Sequence, residues 1–297
     1  IKKGYTVLGI DKVPANKSTP DENFKKLAID ITSYKEVSRL VKKERPDEIY
    51  HLAAFHHSSQ DKKIDNVSLL TKSFRVNVLP LLNFLEAVKV FSPQSKLFFA
   101  ASSLVFGDTE TKIQDEETKF NPDTMYGITK ADGVFLCRMY RKQYKVFASA
   151  GILYNHESPF RTKQFLSQKV ATAALRIKEG KEKFLKLGDL KAEVDWGYAP
   201  DYVEAMYGIL QLKEPGDFVI ATGKRHSVLD FAKTAFGILG LDWKKYIKEE
   251  SKILTRRRKA LVGNASKLRM ATGWKPKTSF NKMIRILIDE KRKQIGK

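Results

Sequence analysis

The sequence is poor in several things at once. A single cysteine, Cys137, among 297 residues leaves no internal disulfide possible, and a reducing, cytoplasmic compartment is expected. No apolar run reaches the roughly 18 residues that a membrane-spanning helix needs, and no secretory leader is expected. Acidic side chains are scarce, 34 against 55 basic ones, for a net charge of +21. No zinc-finger spacing or aromatic-glycine RNA-binding signature accompanies that charge, so nucleic acid is not the expected partner. The hydrophobic fraction of 42% and the aromatic fraction of 11% argue against disorder, and the length suits one large α/β domain or two smaller ones.

The basic excess is concentrated. Lys244 to Lys297 holds 18 Lys or Arg and four acids, a surplus of +14, including Arg256 to Lys259 and Lys291 to Lys293. Because 41 of the 55 basic residues are lysine, a solvated lysine-rich surface explains most of it.

Strand and helix patterns alternate from the start. Tyr5 to Asp11 is a short apolar run ending in an acid, and a second ends at Asp30. Ser33 with Glu36 predicts a capping box opening a helix on Val37, Leu40 and Val41. Asp47 to Ala54, Lys96 to Ala101, Val146 to Tyr154 and Phe218 to Thr222 read as strands. Leu79 to Phe91 and Thr124 to Tyr144 read as helices. Near-continuous apolar strands between helices predict a doubly wound, Rossmann-like parallel sheet, followed by a smaller, mainly helical C-terminal substrate domain. The expected division is residues 1–155, joined by about 195–223, and a second region of 156–194 with 224–297.

Ligands of such sheets lie beyond the carboxyl ends of the strands, here Asp11, Asp30, Ala54, Ser102 and Asn155. An acid ending a strand can accept hydrogen bonds from the adenosine ribose, so Asp11 favours NAD over NADP, a preference weakened by the adjacent Lys12. The glycine-rich turn that cradles the pyrophosphate is absent, as is the strand before it. The first residues read as the tail of a helix entering a strand, so roughly 20–25 further residues carrying that strand and turn are expected upstream of Ile1.

Tyr126 and Lys130 form Tyr-x-x-x-Lys, which on a helix puts both side chains on one face. There the ammonium can lower the phenol's pKa and make it a base. Composition alone yields about 1.5 such pairs, so the context carries the weight. Ser102 and Ser103 end a buried strand upstream, and Asn121-Pro122 opens the loop before the helix. This arrangement resembles the short-chain dehydrogenases/reductases. Gly151-Ile-Leu-Tyr-Asn-His-Glu-Ser-Pro159, Asp195-Trp-Gly-Tyr-Ala-Pro-Asp-Tyr-Val203, Asp217-Phe-Val-Ile-Ala-Thr-Gly223 and Gly273-Trp-Lys-Pro276 narrow the resemblance to the GDP-mannose 4,6-dehydratase family, along nearly the whole chain.

The resemblance implies an NAD(P)-dependent enzyme acting on a nucleotide sugar, a GDP-hexose, and commonly a homodimer or homotetramer. Hydride leaves C4 of the hexose while a tyrosine takes the hydroxyl proton, water is lost across C5 and C6, and hydride returns to C6. By resemblance Tyr126 is the base, Lys130 its modulator and Ser102 the hydroxyl partner. Asp30, Ile31, Leu52, Ala53, Ala54, Asn77 and His156 join Asp11 and the Tyr126–Lys130 pair at the cofactor. Ser103, Asn155, Arg161 and Lys169 face the substrate.

The chain also departs from the family pattern. Leu104 stands where dehydratases carry the glutamate that removes the C5 proton. Arginines of the family fall at Val194, Phe160 and Leu254, and a glutamate at Arg257. Leu104 leaves open a 4-epimerase or ketoreductase, which needs the hydride cycle without a C5 base. The missing turn and arginines leave open a non-catalytic binding or scaffold protein. His56 and His57 lack a third ligand at metal spacing, so no metal is expected. Cys137, Trp196 and Trp274 read as core residues.

Overall fold

The computed structural model describes residues 1–13, 21–57, 64–250 and 260–295. In chain order the elements are β1 (Val7–Asp11), β2 (Phe24–Ala28), α1 (Tyr34–Glu44), β3 (Glu48–His51), α2 (Asn66–Asn77), α3 (Leu79–Phe91), β4 (Lys96–Ala100), α4 (Met125–Tyr144), β5 (Ala148–Leu153) and β6 (Asn155–Glu157). They continue as α5 (Leu166–Lys178), β7 (Leu185–Leu187), β8 (Glu193–Tyr198), α6 (Ala199–Leu210), β9 (Asp217–Ile220), β10 (Arg225–Ser227), α7 (Val228–Ile238), α8 (Trp243–Tyr246), β11 (Ile247–Glu249), α9 (Ser266–Thr272) and α10 (Phe280–Ile295).

The central sheet runs β3-β4-β5-β9, all parallel, with Phe99 opposite Ala150 and Leu153 opposite Ile220. β4 and β5 are buried almost throughout because helices cover both faces. On one face Val37 and Val41 of α1, Phe84, Leu85 and Val88 of α3, and Val134 and Cys137 of α4 pack on Leu97, Phe99 and Ala150. On the other, Tyr202, Met206 and Ile209 of α6 and Leu268 of α9 pack on Phe98, Leu153 and Ile220. This is the doubly wound α/β arrangement that the apolar strands imply.

β1 and β2 form a separate parallel pair with Leu8 opposite Lys25. Among the described residues no ladder joins them to β3. Ile10 instead packs on the shared core, the Tyr5 hydroxyl donates to Glu48 Oε1 at 2.9 Å, and Asn83 Nδ2 donates to the Ile31 carbonyl at 2.9 Å. Ile1 to Gly4 is a turn, not the helix tail that the sequence suggests. The capping box at Ser33 is half formed. Ser33 Oγ accepts from Glu36 N, but the Glu36 carboxylate reaches back to Asp30 N at 2.9 Å.

A second core holds α5, α7 and α10 with β7 and β8, around Phe231, Phe236, Leu287 and Trp196. Small sheets β10-β8-β6 and β11-β7 line it. The division between regions is less clean than expected: α9, within 224–297, packs under α6 on the central sheet. Asp195 of β8, 1% exposed, ties the regions by accepting from Thr222 N and Oγ1, Gly223 N and Gly263 N. Asp201 plays a similar part for the Gly-Trp-Lys-Pro turn, accepting from Lys277 N and Thr278 N, while its carbonyl takes the Trp274 indole N–H. Trp196, Trp274 and Cys137 are buried, and burial pushes the thiol up to about 12. No helix of the described residues is long and apolar enough to cross a membrane.

Candidate active site

β4 ends at Ala100 in the middle of the sheet, and the chain turns at once into a short 3₁₀ helix, Ser103–Val105, capped by Ser102. The Ser102 hydroxyl oxygen accepts from Leu104 N at 3.3 Å. Its own hydrogen stays available to a ligand oxygen. α4 starts after Thr124, whose hydroxyl caps Gly127 N at 3.0 Å. A Cβ on Gly127 would lie 2.5 Å from the Leu104 carbonyl oxygen. Only glycine lets the first turn of α4 rest against the turn that follows Ser102. That contact brings the hydroxyl-bearing strand end and Tyr126 to one corner. The sequence signal for Gly127 is its place in a helix, where glycine costs about 1 kcal/mol against alanine and so calls for a packing reason.

Lys130, one turn further, is 1% exposed and donates its ammonium to the Ala100 carbonyl at 2.7 Å. The nitrogen lies 4.8 Å from the centre of the Phe99 ring and 5.6 Å from that of Tyr126. The expectation that Lys130 lowers the Tyr126 pKa is not what this geometry gives. Burial dominates both groups, pushing the phenol up to about 12 and the ammonium down to about 7. The cation that pulls the Tyr126 phenol back down is Arg161.

Arg161 comes from the opposite wall. Its guanidinium lies 3.7 Å over the Phe165 ring, with Nε 3.3 Å from Glu157 Oε2. The buried Glu157 also accepts from Ser167 Oγ at 2.5 Å. His56, beyond the end of β3, closes the gap. Its ring stands edge-on to Tyr126 at 4.9 Å and 6.1 Å from Phe165. Arg161, Phe165, His56 and Tyr126 therefore form one continuous series of ring and cation contacts across the cleft.

The remaining expected residues are placed variously. Asn155 is exposed at the start of β6, and Lys169 is half-buried on α5. Ser103 is buried within the turn. His156 stacks on Tyr202 at 4.8 Å with Nδ1 2.8 Å from the Tyr154 carbonyl, which makes it a wall of the loop. Leu52, Ala53 and Ala54 lie exposed past β3. Asn77 is fully buried and its amide is committed: Oδ1 accepts from Phe55 N, and Nδ2 donates to Phe55 O and to Thr129 Oγ1. Asp11 is exposed at the end of β1. Asp30 is held low in pKa by Thr32, with Lys12 adding to the effect at 3.3 Å.

These strand ends fit a dinucleotide in part. Exposed small side chains after β3 admit a flat ring, and carboxylates end the β1 and β2 segments where ribose hydroxyls need acceptors. The described residues contain no glycine-rich turn for a pyrophosphate. Phe160, at a family arginine position, is 92% exposed, and Val194 is half-buried in the second core. Leu254 and Arg257 lie outside the described residues. A cavity of about 830 Å³ lined by Asp108, Glu110, Asp115, Glu117 and Lys119 excludes Ser102, Tyr126 and Lys130. Its four carboxylates against one lysine have the wrong sign for a diphosphate.

A family profile described as GDP-mannose 4,6 dehydratase matches residues 1–287. This chain belongs to that family. GDP-mannose 4,6 dehydratase 2 of Arabidopsis thaliana is 36% identical over 302 residues, spanning 97% of this chain and 80% of the relative. Among solved structures, dTDP-glucose 4,6-dehydratase from Bacillus anthracis in complex with NAD superposes with a TM-score of 0.84 at 20% identity, covering 99% of this chain and 90% of that one. UDP-glucose 4-epimerase from Thermotoga maritima with UDP-glucose gives 0.83 at 21%, covering 99% and 93%. These structures share the fold: a Rossmann-type parallel sheet with a smaller second region.

Proposed function

We propose that this chain is a nucleotide-sugar enzyme of the dehydratase group that oxidises the C4 hydroxyl of a GDP-hexose, with Tyr126 as the base. The observation that carries the reading is the corner formed by Ser102, Tyr126 and Lys130, held together by the close approach of Gly127 to the Leu104 carbonyl. Ser102 donates its hydroxyl hydrogen to the sugar oxygen and orients it. Tyr126, as the phenolate, takes the C4 hydroxyl proton and becomes the neutral phenol, and Arg161 offsets the phenolate's charge before the transfer. When bound, NAD or NADP accepts the C4 hydride and later returns it, and the exposed Asp11 slightly favours NAD. Asp30, Ile31, Leu52, Ala53, Ala54 and His156 line the dinucleotide, while Asn77 holds the loop beside it. Ser103, Asn155, Arg161 and Lys169 serve the sugar nucleotide.

Leu104 supports a second reading. Its side chain cannot transfer a proton, and a 4-epimerase or ketoreductase needs the hydride cycle alone. A homodimer or homotetramer is the assembly we expect, with Phe135 (51% exposed) and Met139 (36%) on α4 as apolar candidates for its contact. The single buried thiol supports a cytoplasmic setting.

The test is to incubate the full-length protein with NAD or NADP and GDP-mannose and follow the sugar by NMR. A 6-deoxy-4-keto product supports dehydration, and a C4 epimer supports the second reading. Tyr126→Phe is expected to lose about 10²–10⁴-fold in turnover. Full turnover by that variant overturns the assignment.

A further inference from the structure

We infer that His56 is a second proton-transferring residue of this site, the group that removes the C5 proton of the 4-keto sugar. This inference rests on the proposed function. The sheet places His56 five residues past β3, its ring edge-on to Tyr126 at 4.9 Å with an interplanar angle of 80°. Across the cleft the same ring faces Phe165 at 6.1 Å, the residue that caps α5. His56 therefore stands between Tyr126 on one side and Phe165 on the other, and it is exposed to solvent.

Two further observations select it. The carboxylate on the facing wall, Glu157, is 3% exposed and engaged by Ser167 Oγ and Arg161, while Leu104 carries no ionisable group. The loop bearing His56 is also held in register with α4. Asn77, 0% exposed, accepts from Phe55 N at 2.7 Å, donates to Phe55 O at 3.2 Å and donates to Thr129 Oγ1 at 3.0 Å. The Thr129 hydroxyl in turn donates to the Tyr126 carbonyl. A buried amide thus fixes the residue before His56 against the helix that carries Tyr126, the kind of support that holds a proton-transfer group in place.

The step balances without a further reactant. Once C4 is a ketone, the C5 hydrogen is acidic. Neutral His56 takes that proton on a ring nitrogen, and the C5–H electron pair becomes the C5–C6 π bond as the C6–O bond breaks. The imidazolium returns the proton to the departing hydroxyl, which leaves as water. Imidazole suits this exchange because its ordinary pKa lies near neutrality.

The experiment uses full-length protein with NAD(P) and GDP-mannose in D₂O, reading deuterium at C5 by NMR and C4 oxidation by cofactor absorbance. His56→Gln is expected to keep C4 oxidation within a few-fold and to lose C5 exchange by about 10²–10⁴-fold. His56→Phe keeps an aromatic ring against Tyr126 and Phe165 and is expected to lose exchange equally, whereas His57→Gln keeps it. A second readout needs no turnover. The His56 Cε1–H resonance, assigned by its loss in His56→Gln, is expected to shift when GDP-mannose alone is added. Exchange retained in His56→Phe, or a resonance indifferent to the nucleotide sugar, overturns the assignment of His56 and leaves the proposed function standing. Absence of C4 oxidation by the wild-type protein overturns the proposed function and His56 with it.

Discussion

The β4–β5 centre of the sheet and the β1–β2 pair are both parallel ladders, yet they are held in different ways. β5 is buried at every position, with helices on both faces. β1 is half-buried from Val7 to Ile10, and β2 exposes three of its five residues. The pair is joined to the rest through Ile10, the Tyr5–Glu48 hydrogen bond and the packing of α1 on α3. Ser102 and Tyr126, proposed to act at the C4 hydroxyl, follow or pack against the buried centre, and the acids proposed for the adenosine end stand on the softer margin. Chemistry that depends on tenths of an ångström sits where local opening is costly, whereas recognition by a few acceptors tolerates a looser frame. Native-state hydrogen exchange should find the slowest amides in β4 and β5 and faster ones in β1 and β2.

The largest expected effect is Phe99→Ala. Phe99 is fully buried, lies under Lys130 and fills the space against Gly133 of α4. Its truncation should cost about 3–5 kcal/mol in urea unfolding. Leu27→Ala, on the half-buried margin, should cost only about 1 kcal/mol. Equal losses would erase the distinction between centre and margin. Next comes Gly127→Ala, whose Cβ meets a backbone oxygen that cannot rotate away. A cost of about 1–3 kcal/mol is expected. Turnover should fall further, by about 10²-fold, because Tyr126 is displaced from the Ser102 turn.

Much of the centre is legible in the sequence, because apolar periodicity reports burial. The helix expected over Leu79 to Phe91 forms over those residues, and the strand expected over 146–154 forms over 148–153. α2 escapes because its buried positions are Ser73 and Asn77, polar side chains satisfied by the Leu69 carbonyl, Phe55 and Thr129, and hydropathy has no way to report them. Tyr126, Lys130 and Ser102 can be chosen from spacing, but the electrostatics of the pair cannot. Spacing says that two groups are near, and only the packing says that burial dominates each of them. Spacing has no means to pick out His56, because its contact with Tyr126 joins segments 70 residues apart.

His51 tests the centre by pH. It is 4% exposed, stacked near Phe99 and Phe84, and its Nε2 has no hydrogen-bond partner. Burial, helped by the Lys130 charge, holds the imidazole down to about 3. Between pH 3 and about 6.5 the unfolded chain binds a proton that the native one does not. Its contribution to stability is therefore full above 6.5 and is lost as pH falls, by up to about 1.4 kcal/mol per pH unit. His51→Leu should flatten that acid limb in urea titrations at pH 4 to 7 and stay within about 1 kcal/mol of wild type at neutral pH.

The smallest effect belongs to the margin. Lys12 Nζ lies 3.3 Å from Asp30 Oδ2, but the two side chains are 74% and 31% exposed, so solvent screens the pair. Lys12→Ala should change unfolding free energy by less than about 0.5 kcal/mol. Thr32, which donates to Asp30 through both its backbone and its hydroxyl, would still hold the carboxylate in place. Cofactor choice is where the substitution should register. Lys12 follows Asp11, the acid proposed to accept from the adenosine ribose, and a cation there would temper the repulsion that Asp11 exerts on a 2′-phosphate. Lys12→Ala should therefore shift the ratio of NAD to NADP binding several-fold toward NAD, measured by fluorescence titration of each reduced dinucleotide. A variant that loses stability without moving that ratio would make Lys12 a brace for the β1–β2 margin and remove it from cofactor selection.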